Sequence, residues 1–110
     1  MDNNETQSKA LYQKQPEATS VRAAHILVPS YDEAINVKQQ IESGKITFAQ
    51  AAEKYSKCPS GKNGGDLGYF TRGQMVPEFD KASFTLPVNT VSDPVKTQFG
   101  YHLIEVLDRK

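Results

Sequence analysis

The stretch AAHILV, residues 23–28, reads as an apolar strand with an imidazole in its middle, and GYHLIEV, residues 100–106, reads the same way near the other end of the chain. These two runs hold both of the chain's histidines, His25 and His102. Side chains alternate along a strand, so His25 shares a face with Ala23 and Leu27, and His102 shares one with Ile104 and Val106. If the two strands lie side by side, one face of one sheet carries both rings. Two buried imidazoles are costly to charge, so the expected pair is neutral and joined through ring nitrogens, each fixing the other's tautomer. The alternative is two unrelated core histidines, each satisfied separately.

The neighbouring residues set the rest of the order. Pro29 stops the first strand, expected over residues 21–28. Ser30 and Glu33 then read as a capping box, with Ala34, Val37 and Ile41 at helical spacing and Gly44 as the stop. A second box, Thr47 with Gln50, opens a shorter helix whose inner side is Phe48, Ala51, Ala52 and Tyr55, ended by Cys58 and Pro59. The loop SGKNGGDLGYF, residues 60–70, has four glycines and a short strand over 67–70. It lacks the spacing of a phosphate-binding loop, and no helix follows it directly. Pro77 begins a third helix with Phe79, Ala82 and Phe84, closed before Pro87. Asp93 and Pro94 turn the chain into a strand over 95–97, and Phe99 with Gly100 turn it into the last strand, 102–107. The last two strands are joined by too few residues for a parallel crossover, so the order β-α-α-β-α-β-β predicts an α+β domain, an antiparallel sheet flanked by helices.

Composition excludes several function classes. With 110 residues the chain is one domain, large enough for a core without disulfides or structural metal. Thirteen basic residues balance thirteen acidic ones, which gives no reason to expect nucleic acid or an anionic membrane as partner. Cys58 is the one cysteine, and no His and Cys spacing of a metal site occurs, so no metal and no cofactor are expected. No apolar run reaches transmembrane length, and MDNNETQSKALYQKQ is too polar for a secretory signal. Residues 1–20 read as a polar linker or a frayed helix end, and residues 21–110 as the domain. A lone thiol without a leader favours the cytosol, the alternative being a piece of a larger exported protein. No heptads or apolar stripe call for self-association, so a monomer is expected.

The segments AAHILV, GGDLGYFTRGQMVPEF, ASFTL and PVKTQFGYHLIEV, in this order and spacing, resemble the parvulin family of peptidyl-prolyl cis/trans isomerases, over about Val21 to Leu107. The approach KALYQKQPEATSVRAAHILV is similar to the stretch preceding the parvulin domain of multidomain bacterial foldases. The resemblance implies a four-stranded antiparallel sheet wrapped by helices. It also implies a non-covalent rotation of X-Pro bonds, with proline-containing peptides and unfolded client proteins as partners. The competing function is a non-catalytic, chaperone-type module that grips proline-containing segments.

The family pattern places His25, Cys58 and His102 at the catalytic centre and builds a proline socket from Leu67, Met75 and Phe79 with Phe70 beside them. Leu67 and Phe70 also read as plain core, whereas Met75, in the polar run TRGQM, suits a binding surface. Gln74 and Thr97 are placed near the substrate backbone as hydrogen-bonding groups, and Gln74 reads equally as an exposed turn residue. Cys58 has three readings: tuning the polar set, a thiol nucleophile with a histidine base, or a small buried hydrophobe. Many parvulins carry Asp at the position that Cys58 matches, which speaks against thiol chemistry. Phosphate-selective parvulins use a basic loop between first strand and first helix, but here it is PSYDEA, with Asp32 and Glu33. No phosphate selectivity is therefore expected, with Lys62 and Arg72 as the remaining possible contacts or simply solvated surface charges.

Overall fold

The computed structural model describes residues 19–110. Strands β1 (Ser20–Val28), β2 (Asp66–Thr71), β3 (Val95–Thr97) and β4 (Gly100–Arg109) form one sheet in the order β2-β1-β4-β3, each neighbouring pair antiparallel. Helices α1 (Tyr31–Glu42), α2 (Phe48–Tyr55) and α3 (Pro77–Thr85) complete the expected β-α-α-β-α-β-β order, with an unexpected 3-10 helix at Pro59–Asn63. The α+β class and the four-stranded antiparallel sheet are as read from the sequence. The reading of residues 1–20 as a linker or frayed end falls, for 1–18, outside the described residues.

The two central strands come from opposite ends of the chain and divide the interior in two. On one face Ala24, Ile26, Val28 and Leu103 meet Ala34 and Val37 of α1 and Phe48, Ala51 and Ala52 of α2. On the other, Val21, Ala23, Ile104 and Val106 meet Phe79 and Phe84 of α3 and Phe70 of β2. Period-2 alternation in β1 and β4 is what feeds both cores from the same two strands.

Local signals held unequally. Thr47 and Gln50 form a complete capping box at α2, each side chain bonded to the other's backbone N–H (3.1 and 3.0 Å). At α1 only half of the expected box forms: Ser30 Oγ accepts from the Glu33 N–H at 3.1 Å, while the Glu33 carboxylate lies against the Ser30 hydroxyl. Helix α2 ends at Tyr55, earlier than Pro59 required. The edge of β1 draws the chain away there: Leu27 donates to Ser56 Oγ at 3.0 Å and accepts from the Lys57 N–H at 2.7 Å. Strands β1 and β4 run past their apolar stretches, held at the ends by backbone ladders and by polar pairs such as Arg22 with Asp66 and Tyr69 with Asp108.

Candidate active site

Register decides where the histidines go. His25 lies opposite Ile104 and Leu27 opposite His102, so all four share the face covered by α3. The rings are diagonal neighbours, and their Nδ1 atoms are 2.9 Å apart. The ring planes differ by 18° with centroids 5.1 Å apart, so the imidazoles meet edge to edge in nearly one plane. Both are buried, at 6% and 4% exposure. Phe79 stands edge-on to both, with ring centroids 5.5 and 5.4 Å away.

Burial, with the neighbouring His102 adding to it, holds His25 down at about 4. Burial also lowers His102 below the ordinary histidine value. Both rings are neutral at physiological pH, and a 2.9 Å contact between two Nδ1 atoms then requires a proton on one and a lone pair on the other.

The outer ring nitrogens extend the chain in both directions. His102 Nε2 is 2.8 Å from Thr97 Oγ1, which accepts the Phe99 N–H at 3.1 Å. His25 Nε2 is 3.2 Å from Ser60 Oγ, which is 3.3 Å from Cys58 Sγ. The protons along Thr97, His102, His25, Ser60 and Cys58 can run in either sense. In one sense the Ser60 hydroxyl donates to the sulfur and leaves the S–H of Cys58 free to donate. In the other the thiol donates to Ser60 and leaves its lone pairs free.

Beside this chain lies a cleft of about 440 Å³, whose lining includes His25, His102, Cys58, Leu67, Met75 and Phe79. Leu67 reaches it through a local irregularity in β2. The register with β1 slips between Arg22 and Ala24, and Gly68, at φ +73°, is the residue that absorbs it. Leu67 and Phe70, three residues apart, thereby pack on the same aromatic core. Met75 and Gln74 sit in the loop before α3. That loop is closed by Gln74 Oε1 accepting from the Thr71 N–H (2.7 Å) and by Asp80 Oδ1 accepting from the Gly73 N–H (3.3 Å). At the far end of α3, the Arg109 guanidinium donates to the carbonyls of Ser83 (2.9 Å) and Leu86 (2.5 Å), where helix carbonyls lack partners.

Of the residues singled out from sequence, His25, Cys58, His102, Leu67, Gln74, Met75 and Phe79 therefore line one cleft. Two do not. Phe70 is 4% exposed and packs on Phe79 and Phe84, beneath the cleft rather than in its wall. Thr97 is buried behind His102, one step removed from the cleft. Sequence reasoning missed Ser60, which joins Cys58 to His25, and missed Lys57 and Phe99 in the cleft wall. Nothing in the run CPSGKN marked Ser60, because its role depends on Gly65. At φ +82°, with a would-be Cβ 2.4 Å from the His25 carbonyl, Gly65 lets the 3-10 segment lie directly on β1. That close approach, together with the His25 N–H donating to the Gly65 carbonyl at 2.9 Å, accounts for a glycine pair that a phosphate cradle would otherwise suggest. Among the described residues no group of three or more His, Cys, Asp or Glu side chains gathers as a metal would need, and no helix is long and apolar enough to cross a membrane.

Comparison with known proteins agrees with this geometry. A family profile described as rotamase, PPIC-type PPIase domain, matches residues 9–108. The chain is 48% identical over 91 residues to the foldase protein PrsA of Geobacillus kaustophilus, covering 82% of this chain and 32% of that protein. Among solved structures it is similar to the peptidylprolyl isomerase PrsA of Bacillus anthracis, at a TM-score of 0.82 and 34% identity over 97% of this chain and 48% of that one. It is also similar to NmPin, the parvulin of Nitrosopumilus maritimus, at a TM-score of 0.75 and 38% identity over 84% of this chain and all (100%) of that one. The chain thus spans about a third (32%) of the curated foldase it resembles but the whole (100%) of the Nitrosopumilus parvulin. With the histidine pair, the cleft and a family match that takes in both, the chain belongs to the PPIC-type peptidyl-prolyl isomerase domains, the parvulins.

Proposed function

We propose that this cleft seats the proline ring of an unfolded or folding chain and turns the X-Pro peptide bond before it, without a covalent step and without selectivity for phosphorylated substrates. One observation carries the reading: a neutral, hydrogen-bonded imidazole pair stands beside an apolar cleft walled by Leu67, Met75 and Phe79. Rotation must overcome roughly 18–20 kcal/mol of amide resonance. A thousandfold acceleration needs only about 4 kcal/mol of preference for the twisted amide. A planar amide is the more polar form, because its nitrogen lone pair is spread onto the oxygen. Transfer from water into a mostly apolar cleft therefore weakens the ground state more than the twisted state.

The polar groups act on what the twist changes. Cys58 lines the cleft and is coupled through Ser60 to His25, so its thiol can present a proton or a lone pair without any net charge being created. Gln74 offers a second polar head at the wall. His25 and His102 are positioning residues in this scheme. They hold the chain of hydrogen bonds and, being neutral and buried, do not trade protons with substrate. Thr97 fixes the outer nitrogen of His102.

The absence of phosphate preference rests on the segment joining β1 to α1, where Asp32 and Glu33 occupy the first turn of the helix. Among the described residues Lys57 is the one cation lining the cleft, and it offers no guanidinium fork to a phosphate. The name foldase, carried by its relatives, supports folding chains as clients.

Refolding of a protein limited by X-Pro isomerisation tests the activity. Substoichiometric amounts should accelerate the slow phase, and an unchanged phase would overturn the reading. Matched peptides test the selectivity. Phosphoserine-Pro and Ser-Pro should turn over within tenfold of each other, and a larger phosphopeptide advantage would defeat that part.

A further inference from the structure

Isomerisation leaves one ionised group in the cleft wall without a task. Lys57 stands beside Cys58, and the rest of the lining is apolar residues, the two neutral imidazoles, the thiol and the Gln74 amide, so Lys57 is the only ionised side chain there among the described residues. Its backbone N–H donates to the Leu27 carbonyl at 2.7 Å, so the sheet edge fixes where the side chain starts. Among the described residues Arg22, Lys38 and Arg72 have carboxylate partners, and Lys57 has none. Of the exposed charged neighbours on the same segment, Lys54 and Lys62 carry the same sign and Glu53 the opposite one. The whole chain has net charge +0, so no overall charge biases its encounter with acidic or basic peptides.

We infer that Lys57 makes the cleft prefer substrates with an acidic residue directly beside the proline and disfavour those with a basic one. The inference rests on the isomerase reading and names a substrate class for it. A proline seated among Leu67, Met75 and Phe79 brings its flanking side chains to the rim, and the ammonium of Lys57 meets them on a flexible four-carbon stem. Partly exposed ion pairs carry modest weight, so the expected discrimination is about threefold for Glu over Gln and about threefold again for Gln over Lys.

The test uses three peptide sets identical but for Glu, Gln or Lys next to the proline, before it in one version and after it in another. Each is measured as kcat/KM with the wild-type chain and with Lys57→Gln and Lys57→Glu. Lys57 is exposed, so both variants keep the fold. The wild type should rank Glu above Gln above Lys on at least one flank, with the ratios shrinking at high ionic strength. Lys57→Gln should flatten the order and Lys57→Glu should reverse it. Equal rates in the wild type, or an order that survives in Lys57→Glu, would overturn the inference while leaving the isomerase reading intact. No catalysis on any peptide would overturn both.

Discussion

His25 and His102 stay neutral because their site offers little water and no carboxylate, and that has a consequence for stability. In the unfolded chain an imidazole takes its proton near about 6.5. In the folded protein His25 does so only at about 4, and burial lowers His102 as well. Above about pH 6.5 neither state is protonated and the pair adds no pH dependence. As pH falls from there the unfolded state binds protons that the folded state refuses, so stability declines until about pH 4, where the folded His25 protonates too. For His25 alone the loss is about 3 kcal/mol. Urea midpoints measured down this range should fall, and the fall should shrink in a His25→Gln variant, while the isomerisation rate stays level through about pH 6.5, where a free imidazole would titrate. A flat stability profile would mean that the rings are charged or wet. Cys58 bears on chemistry rather than charge. If it serves as an acceptor at the end of the Ser60 link, a Cys58→Asp variant keeps at least about a third of the wild-type rate, a loss of under about 1 kcal/mol in the barrier. Complete loss with the fold intact would point to a thiol nucleophile.

Among the elements, the 3-10 segment and β2 do the positioning, and two substitutions separate positioning from mere stability. Gly65→Ala puts a Cβ against the His25 carbonyl in a left-handed backbone, and should cost about 2 kcal/mol or more and lower the rate, because β1 must shift under its histidine. Thr47→Ala removes half of a complete capping box on the opposite side of the sheet, and should cost about 1 kcal/mol with the rate unchanged. Thermal denaturation and a peptide assay on both variants check the contrast. The same elements show what could be read without coordinates. The Thr47 box and the Pro77 start were legible because caps and proline act within one turn of chain. The early end of α2 was not, because Leu27, almost thirty residues away, supplies the competing hydrogen bonds (sequence separation 29 for Leu27 to Ser56). Nor was the 3-10 helix, whose residues carry no apolar period and are placed by glycine contacts.

At the level of the whole molecule, the fold joins its two ends in the middle of the sheet, so both cores and the active cleft depend on the β1–β4 register. Alternation in AAHILV and GYHLIEV was enough to predict the shared histidine face once the two strands pair, since a slip of one residue would have moved one imidazole to the core under α1 and α2. It could not predict depth. Phe70 and Thr97 lie on the expected side but behind the wall, and Ser60 entered only because a distant loop folds onto His25. The two cores differ in function: one carries α1 and α2, the other carries the site. Val37→Ala, in the first, should destabilise by about 2 kcal/mol and leave kcat/KM unchanged. Phe79→Leu, in the second, should destabilise by only about 1 kcal/mol, yet lower kcat/KM about tenfold because the ring facing both imidazoles and the cleft is gone. Equal effects of the two on rate would mean that Phe79 only packs. The most direct measurement is exchange spectroscopy on an unphosphorylated X-Pro peptide with the chain present at a small fraction of the peptide concentration. The account predicts cis-trans exchange cross-peaks at mixing times far shorter than the uncatalysed tens of seconds. Peptide signals that shift on binding while exchange stays at its uncatalysed rate would contradict it.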